Sequence, residues 1–316
     1  MFMKHLLRLL SIPVSAFRRF FFLLLLISFA SGFAPFGAVS AQAAVSISDD
    51  FGNEIALQGP AKRIVALYGS FNEILYGMDL GDRLVARTAA DHYPEQITAL
   101  PSIGTHMRPN PELIVALKPD LVLQMAGRSQ AATALEPLKE RGIPCAMFKV
   151  ASFEEMFSMI RRLGVLTGES DAAGRLIDSM NGRLDKVLQK YVTSSVLPSV
   201  FFEIRYPNLL AAGQDSIVND IIRHAGGFNC VSNRKKIVRM GEEELMRLNP
   251  QNYVYQTGRM NPSPVRPDER SHFRLIDAVR NKRILKVDES VFSRPGPRNV
   301  EAVEILADFL LNNKEK

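Results

Sequence analysis

From residue 63 onward the chain alternates short apolar runs with stretches whose apolar residues recur at helical spacing. The runs at 63–67, 84–86, 121–123 and 144–148 predict buried strands, and the spacing between them predicts helices near 94–99, 111–118, 130–141 and 152–166. Ser70-Phe-Asn-Glu73 has the Ser-then-Glu spacing of a capping box, so it predicts the start of the helix after the first strand. Residues 169–191 break this rhythm. Ala172, Leu176, Ile177, Met180, Leu184, Val187, Leu188 and Tyr191 fall on one face with charges opposite. That pattern predicts one amphipathic helix, roughly 30 Å long at about 1.5 Å per residue. Alternation then resumes, with strands at 200–204, 253–255 and 284–287 and helices at 216–224, 242–248, 272–279 and from 300. Only 260–270, rich in Pro and Arg, reads as extended loop. Strands alternating with helices imply an α/β fold of mostly parallel sheets covered on both faces, here in two lobes joined by the long helix.

One phrase occurs twice. Pro111-Glu-Leu-Ile-Val-Ala-Leu-Lys-Pro-Asp-Leu-Val-Leu123 and, more loosely, Glu242-Glu-Glu-Leu-Met-Arg-Leu-Asn-Pro-Gln-Asn-Tyr-Val-Tyr255 each place a Glu seven residues before a Pro, with apolar matches at 114/245, 115/246 and 117/248. Pro restricts the residue before it, so each short helix is expected to stop at Lys118 or Asn249 and a buried strand to follow. Glu112 and Glu243 fall in the first helical turn, where the positive end of the helix dipole favours an anion and side chains stay in water. Two ordinary surface glutamates have the same spacing. Glu242 and Glu244 flank Glu243, so the register in the second copy is open by one residue.

Composition changes the picture mainly at the start of the chain. Lys4, Arg8, Arg18 and Arg19 precede the apolar run at 20–27, and a small-residue site stands at Ala41-Gln-Ala43, as in a cleaved secretory signal over residues 1–44. A retained membrane anchor competes with that reading, weakened as a spanning helix by Gly32, Pro35 and Gly37. No Cys lies near the cleavage site, which favours a free periplasmic protein over a lipid-anchored one. The formal charge of +6 misleads, because the signal holds four basic residues and no acid. About +2 remains on the mature chain, which gives nucleic-acid binding no support. The remaining residues suffice for two lobes with a core each. Cys145 and Cys230, in different expected lobes, read as buried thiols; a disulfide between them would staple the lobes together.

Taken in order, 63–67 with Ser70-Phe-Asn-Glu-Ile-Leu75, Ile103-Gly-Thr with 111–123, Ser216-Ile-Val-Asn-Asp-Ile-Ile222 with Ala225-Gly-Gly-Phe-Asn229, 243–250, and Phe292-Ser-Arg-Pro-Gly-Pro-Arg298 resemble the periplasmic substrate-binding proteins of ABC importers for ferric siderophores, haem and cobalamin. The resemblance covers about residues 63–310. It implies an N-terminal lobe at 45–168, a rigid connecting helix at 169–193, a C-terminal lobe at 194–316, and a ligand held in the cleft with little lobe closure. It also implies that Glu112 and Glu243 dock with arginines of an inner-membrane permease, through charge-assisted pairs that fix orientation. Such a carrier is a periplasmic monomer that performs no chemistry and keeps no cofactor; its ferric chelate, haem or corrinoid is cargo.

Ligands of open α/β sheets bind beyond the carboxyl ends of the strands, which selects Tyr68, Gly69 and Ser70, 124–128, Arg205, Tyr206 and Asn208, Gln256 and Arg259, and Ser293 and Arg294. The resemblance adds the loop Thr105-His-Met-Arg108. The favoured ligand-binding set is Tyr68, His106, Arg108, Arg128, Arg205, Tyr206 and Arg294, with Arg205 and Tyr206 foremost. Arg supplies a planar fork for carboxylate or catecholate groups and Tyr a flat face with a polar tip, which suits an anionic, partly aromatic chelate. Against each stands an ordinary alternative, a solvated loop Arg or a core Tyr; Arg266 and Arg270 read as a solvated face. His92, His106, His224 and His272 lack paired metal-ligand spacing, and His224 suits a helix-end dipole contact. Haem-binding relatives tend to carry Tyr where this chain has Thr105-His106, which leaves axial ligation by His106 open. The absence of Trp departs from several cobalamin carriers. A secreted two-domain hydrolase is the reading from another class, and Tyr68-Gly-Ser-Phe-Asn lacks the second Gly of a nucleophile elbow.

Overall fold

The computed structural model describes residues 43–127, 129–191 and 197–311, which form one compact unit. All but the last two residues of the proposed signal segment, and Arg128, lie outside the described residues. The chain opens with an antiparallel hairpin, β1 (Val45–Ser48) and β2 (Glu54–Leu57). Then come β3 (Ile64–Ala66), α1 (Gly69–Gly77), β4 (Leu84–Ala86), the small hairpin β5 (Gly104–Thr105) and β6 (Arg108–Pro109), α2 (Pro111–Ala116) and β7 (Leu121–Met125). Two short helices, α3 (Ser129–Thr133) and α4 (Glu136–Lys139), lead to β8 (Cys145–Phe148) and α5 (Phe153–Thr167). The connector is α6 (Ser170–Tyr191). Beyond it lie β9 (Ser199–Arg205), β10 (Leu210–Ala212), α7 (Ile217–His224), β11 (Phe228–Asn229), β12 (Ile237–Arg239), α8 (Glu242–Leu248), β13 (Asn252–Thr257), α9 (Asp277–Arg280), β14 (Ile284–Asp288), α10 (Glu289–Phe292) and α11 (Asn299–Leu311).

The N-terminal sheet has the order β4-β3-β7-β8 and is parallel throughout. Helices cover both its faces, and β3, β7 and β8 are accordingly buried at every position. The C-terminal sheet is mixed. β11, β13 and β14 run parallel with β9, whereas β10 and β12 form an antiparallel edge in the order β12-β10-β9-β13-β14. This edge was not foreseen, because strands of three residues carry too little alternation to read. The same holds for the opening hairpin. The helix expected at 94–99 is a single 3-10 segment, Glu95–Ala99, and the one at 272–279 is divided between a 3-10 turn, Ser271–Leu275, and α9.

One core spans the molecule rather than one per lobe. Ile64, Phe71, Leu123, Met156 and Leu163 belong to the same buried cluster as Ile177, Leu184, Val200, Phe202, Val303 and Leu306. The connector lies in its middle, packed on α5 and α11 and tied to α11 by Arg183–Glu304 and Lys190–Asp308 pairs. Ala172, Ile177, Met180, Leu184 and Val187 are buried as the spacing predicted; Leu188, at 55% exposure, is outside the stripe. Separate clusters line only the outer faces, one around Val65, Val122 and Cys145, the other around Phe201, Tyr253 and Phe273. Cys145 and Cys230 are free thiols, each pushed up to about 12 by burial.

Candidate functional site

The loop leaving β3 turns directly into α1, and its Tyr68 is the residue that precedes the helix. Ser70 does not act as the expected cap: α1 has no side-chain cap hydrogen bond, and the helix begins at Gly69. Glu73 is drawn elsewhere, accepting two hydrogen bonds from the Arg298 guanidinium at 2.7 and 3.0 Å. Burial raises the Glu73 pKa, and Arg298 offsets part of that rise. Tyr68 is half-buried, meets the His106 ring edge-on at 5.6 Å, and has the Arg294 guanidinium 5.9 Å from its ring centroid. Burial raises its pKa, so the phenol is neutral at physiological pH. His106 sits at the tip of the β5–β6 hairpin, and its carbonyl accepts a hydrogen bond from Gln124 of β7 at 2.9 Å.

Arg294 and Arg298 come from the loop between α10 and α11, in the other half of the molecule, and reach the N-terminal half in the same way. Each faces an acid and an aromatic ring. Arg294 stands 3.8 Å from the buried Asp91 carboxylate and beside Tyr68; Arg298 pairs with Glu73 and lies 4.2 Å from the Tyr93 ring centroid. Gly69 admits this approach, because a Cβ there would sit 2.6 Å from both the Arg294 guanidinium and the Asp91 carboxylate. Each guanidinium thus has a carboxylate within ion-pair distance.

From Arg294 the polar seam continues into the C-terminal sheet. Ser293 donates to Gln256 Oε1 at 2.5 Å, Gln256 donates to the Ile204 carbonyl at 3.1 Å, and Asn261 donates to the Gln256 carbonyl at 3.0 Å. Arg205 and Tyr206 follow at the carboxyl end of β9 and are half-buried. Arg205 Nε is buried without a hydrogen-bond partner among the described residues. Tyr206 donates to Glu242 Oε1 at 2.8 Å, which, with burial, raises its pKa. Arg270 lies beneath the Tyr206 ring at 3.8 Å and is buried against Glu203, which also accepts from the Tyr253 hydroxyl. Arg270 therefore is no part of a solvated face; Arg266, exposed and paired with Asp268, is.

Of the predicted ligand residues, Tyr68, His106 and Arg294 converge in one cluster. Arg205 and Tyr206 stand apart from it, at the end of the strand whose Ile204 carbonyl Gln256 bonds, and the Tyr206 side chain meets Arg270, Phe273 and Glu242. Arg108 is exposed on the hairpin, and its backbone N–H donates to Thr105 Oγ1 at 3.1 Å. Asp91, Tyr93 and Arg298 were missed. Tyr93, 51% exposed, lies seven residues beyond β4, past the positions the strand-end rule selects. His224, with Nδ1 2.9 Å from the Asp220 carbonyl and its ring 4.9 Å from Phe153, belongs to the packing between α5 and α7. Among the described residues no group of three His, Cys, Asp or Glu side chains is placed to hold a metal ion.

Glu112 and Glu243 are both exposed in the first turns of α2 and α8. In the second copy Glu242 is half-buried and bonded to Tyr206, which sets it apart from the exposed Glu243. Glu244 is exposed as well.

A family model described as periplasmic binding protein matches residues 64–291. The uncharacterized ABC transporter substrate-binding lipoprotein YvrC of Bacillus subtilis is 32% identical, over 84% of this chain and 85% of its own. A vitamin B12-binding protein of Photorhabdus laumondii is 25% identical, over 79% and 88%. Among solved structures, a possible iron-binding (periplasmic solute-binding) protein from Staphylococcus epidermidis superposes with a TM-score of 0.68 at 28% identity, covering 79% of this chain and 99% of that one. The periplasmic vitamin B12 binding protein of Vibrio cholerae gives 0.69 at 23% identity, over 81% and 99%, a likeness of fold. With the family match extending over most of the sequence and the relationship to the Bacillus lipoprotein spanning both chains, the protein belongs to the periplasmic binding protein family and is an ABC-transporter substrate-binding protein.

Proposed function

We propose that the chain captures an iron chelate of the ferric siderophore type in the cleft and delivers it to an inner-membrane permease, without chemistry of its own. The observation that carries this reading is the meeting of Tyr68, His106 and Arg294 at the strand ends, contributed by three separate loops from both halves of the molecule. A neutral phenol, an imidazole and a guanidinium offer flat faces and donors to a preformed chelate. Residues 45–168 and 194–316 act as the two lobes, with α6 as their rigid link, and the shared core opposes wide lobe closure. Secretion to the periplasm as a monomer, with removal of residues 1–44, completes the reading. The matched exposure of Glu112 and Glu243 supports docking of one glutamate per lobe on permease arginines, and release follows if the docked state binds cargo less well.

A second reading, haem or a corrinoid as cargo, draws on the Asp91 and Glu73 carboxylates that neutralise Arg294 and Arg298. A weakly charged, flat ring suits such a wall better than a multiply anionic chelate does. Several relatives are named vitamin B12-binding proteins. An absorption spectrum and metal analysis of protein purified from its native periplasm distinguish the cargoes, and a colourless, metal-free small molecule there overturns both readings. Charge reversal at Glu112 and Glu243 together is expected to abolish import while leaving secretion and folding intact; undiminished import refutes the docking assignment.

A further inference from the structure

Tyr206, at the cleft end of β9, is held from outside the cleft. Its ring rests on the Arg270 guanidinium at 3.8 Å and against the edge of Phe273 at 5.7 Å, and Arg270 is itself fixed by two contacts with the fully buried Glu203 carboxylate. These contacts hold the ring. The hydroxyl is fixed by a different element: it donates to Glu242 Oε1 at 2.8 Å, and Glu242 is the first residue of α8, immediately before Glu243. The two neighbours thus divide the helix start between them. Glu243 faces solvent, whereas Glu242 is half-buried against the tyrosine.

We propose that Glu242 is a positioning residue of the cargo site, holding Tyr206 in its binding orientation and so joining the cleft to the helix that carries Glu243. The proposal rests on the reading of the cleft as the cargo site. A hydrogen bond to a carboxylate is among the stronger kinds, and it constrains the phenol in a direction that the Arg270 stack leaves free. The consequence is reciprocal. Any engagement of α8 that moves Glu242 weakens cargo binding, and cargo that settles Tyr206 stabilises α8 by the same free energy.

The test uses the purified mature protein with haemin, cyanocobalamin and a ferric tris-catecholate titrated in turn by tyrosine quenching, and the probe it binds is carried forward. Glu242→Ala is expected to weaken binding about ten- to a hundredfold, the scale of a hydrogen bond to a charged group. Glu242→Gln, which retains an acceptor, restores most of that loss. Tyr206→Phe combined with Glu242→Ala is expected to bind no worse than the weaker single variant, as two ends of one interaction should. Arg247→Ala, at an exposed position of the same helix, leaves affinity unchanged. Wild-type affinity in Glu242→Ala, or additive losses in the double variant, overturns the proposal. A wild-type protein that binds none of the three probes refutes it together with the cargo reading, whereas undiminished import after charge reversal at both Glu112 and Glu243 refutes only the docking assignment.

Discussion

The two helix–Pro–strand units are alike where burial and proline act and differ where each meets its own surroundings. Ile114 and Leu245 are both fully buried, Val115 and Met246 both half-buried, and Leu117 and Leu248 likewise. Before the buried Pro119 and Pro250 the backbone turns left-handed, with φ of 48° at Lys118 and 42° at Asn249, and a buried strand follows each time. The closures differ. The Arg63 guanidinium binds the Leu117 and Lys118 carbonyls in the first unit, whereas Asn249 Oδ1 accepts from the Asp277 N–H in the second. The links to the cleft differ too. In the first unit the hairpin carrying His106 runs straight into α2; in the second, Glu242 reaches Tyr206 by a side-chain hydrogen bond. A repeated architecture thus preserves the helix and its Pro stop and leaves their links to the neighbouring loops free to vary.

The layers beneath the units sharpen the contrast. The outer cluster of the N-terminal sheet is apolar, built on Val65, Leu67, Val122 and Met147. Its C-terminal counterpart packs around Arg270, Glu203 and Tyr253, joined by hydrogen bonds and almost wholly buried. Burial pulls the Arg270 pKa down, but the Glu203 carboxylate more than offsets it, so the guanidinium stays charged. Arg270→Leu is expected to cost about 3–5 kcal/mol, because it leaves a buried carboxylate without its counter-charge. Denaturant unfolding checks this, with Glu203→Leu/Arg270→Leu expected to recover much of the loss. If Arg270→Leu proves neutral, the ion pair is not what closes the C-terminal layer.

Matched truncations measure how alike the two units are. Ile114→Ala and Leu245→Ala should each cost about 2–4 kcal/mol, since both remove a fully buried aliphatic side chain that fastens its helix to the sheet. Equal losses in urea unfolding support a common scaffold. A twofold disparity would show that one helix is held chiefly by its other contacts.

Between the halves, Glu73 and Arg298 give a pH signature. The folded-state pKa of Glu73 is raised, mainly by burial, so its contribution to stability is fully present below the ordinary glutamate pKa and is lost as pH rises through the raised value. Thermal unfolding followed from acid to neutral pH should therefore fall less steeply for Glu73→Gln than for the unaltered chain. Identical slopes would mean that Arg298 fully compensates the burial.

Most of the scaffold was legible because it depends on local signals. The strand at 84–86 and the helix at 242–248 stand where predicted, and the connector begins one residue later than expected. The cleft was half legible. Tyr68, Arg205, Tyr206 and Arg294 follow strand ends, which periodicity locates, whereas their partners are set by contacts over long sequence separations. Glu73 reads locally as a capping-box acid, yet Arg298 claims it from 225 residues away. Arg270 reads as solvated because nothing near it in sequence announces Glu203, 67 positions earlier. Likewise the single shared core could not be inferred from two sets of βα units that each look self-sufficient.

The smallest expected effect is at the starts of the two units. Asn110 caps α2 through its side chain, accepting from the Leu113 N–H at 3.0 Å, whereas Gly241 precedes α8 without a side-chain cap. Asn110→Ala should therefore cost about 1 kcal/mol, the usual worth of an N-cap. Gly241→Asn is expected to change stability by only a few tenths of a kcal/mol, since glycine is itself a tolerated N-cap. A Cβ at Gly241 meets no atom within 4 Å, so the substitution is sterically free. Amide hydrogen exchange localised to α2 and α8 reads both changes. Faster exchange in α2 of Asn110→Ala with α8 unaffected is the expected result, and a loss spread over both helices would mean that the units are coupled through the shared core rather than capped independently.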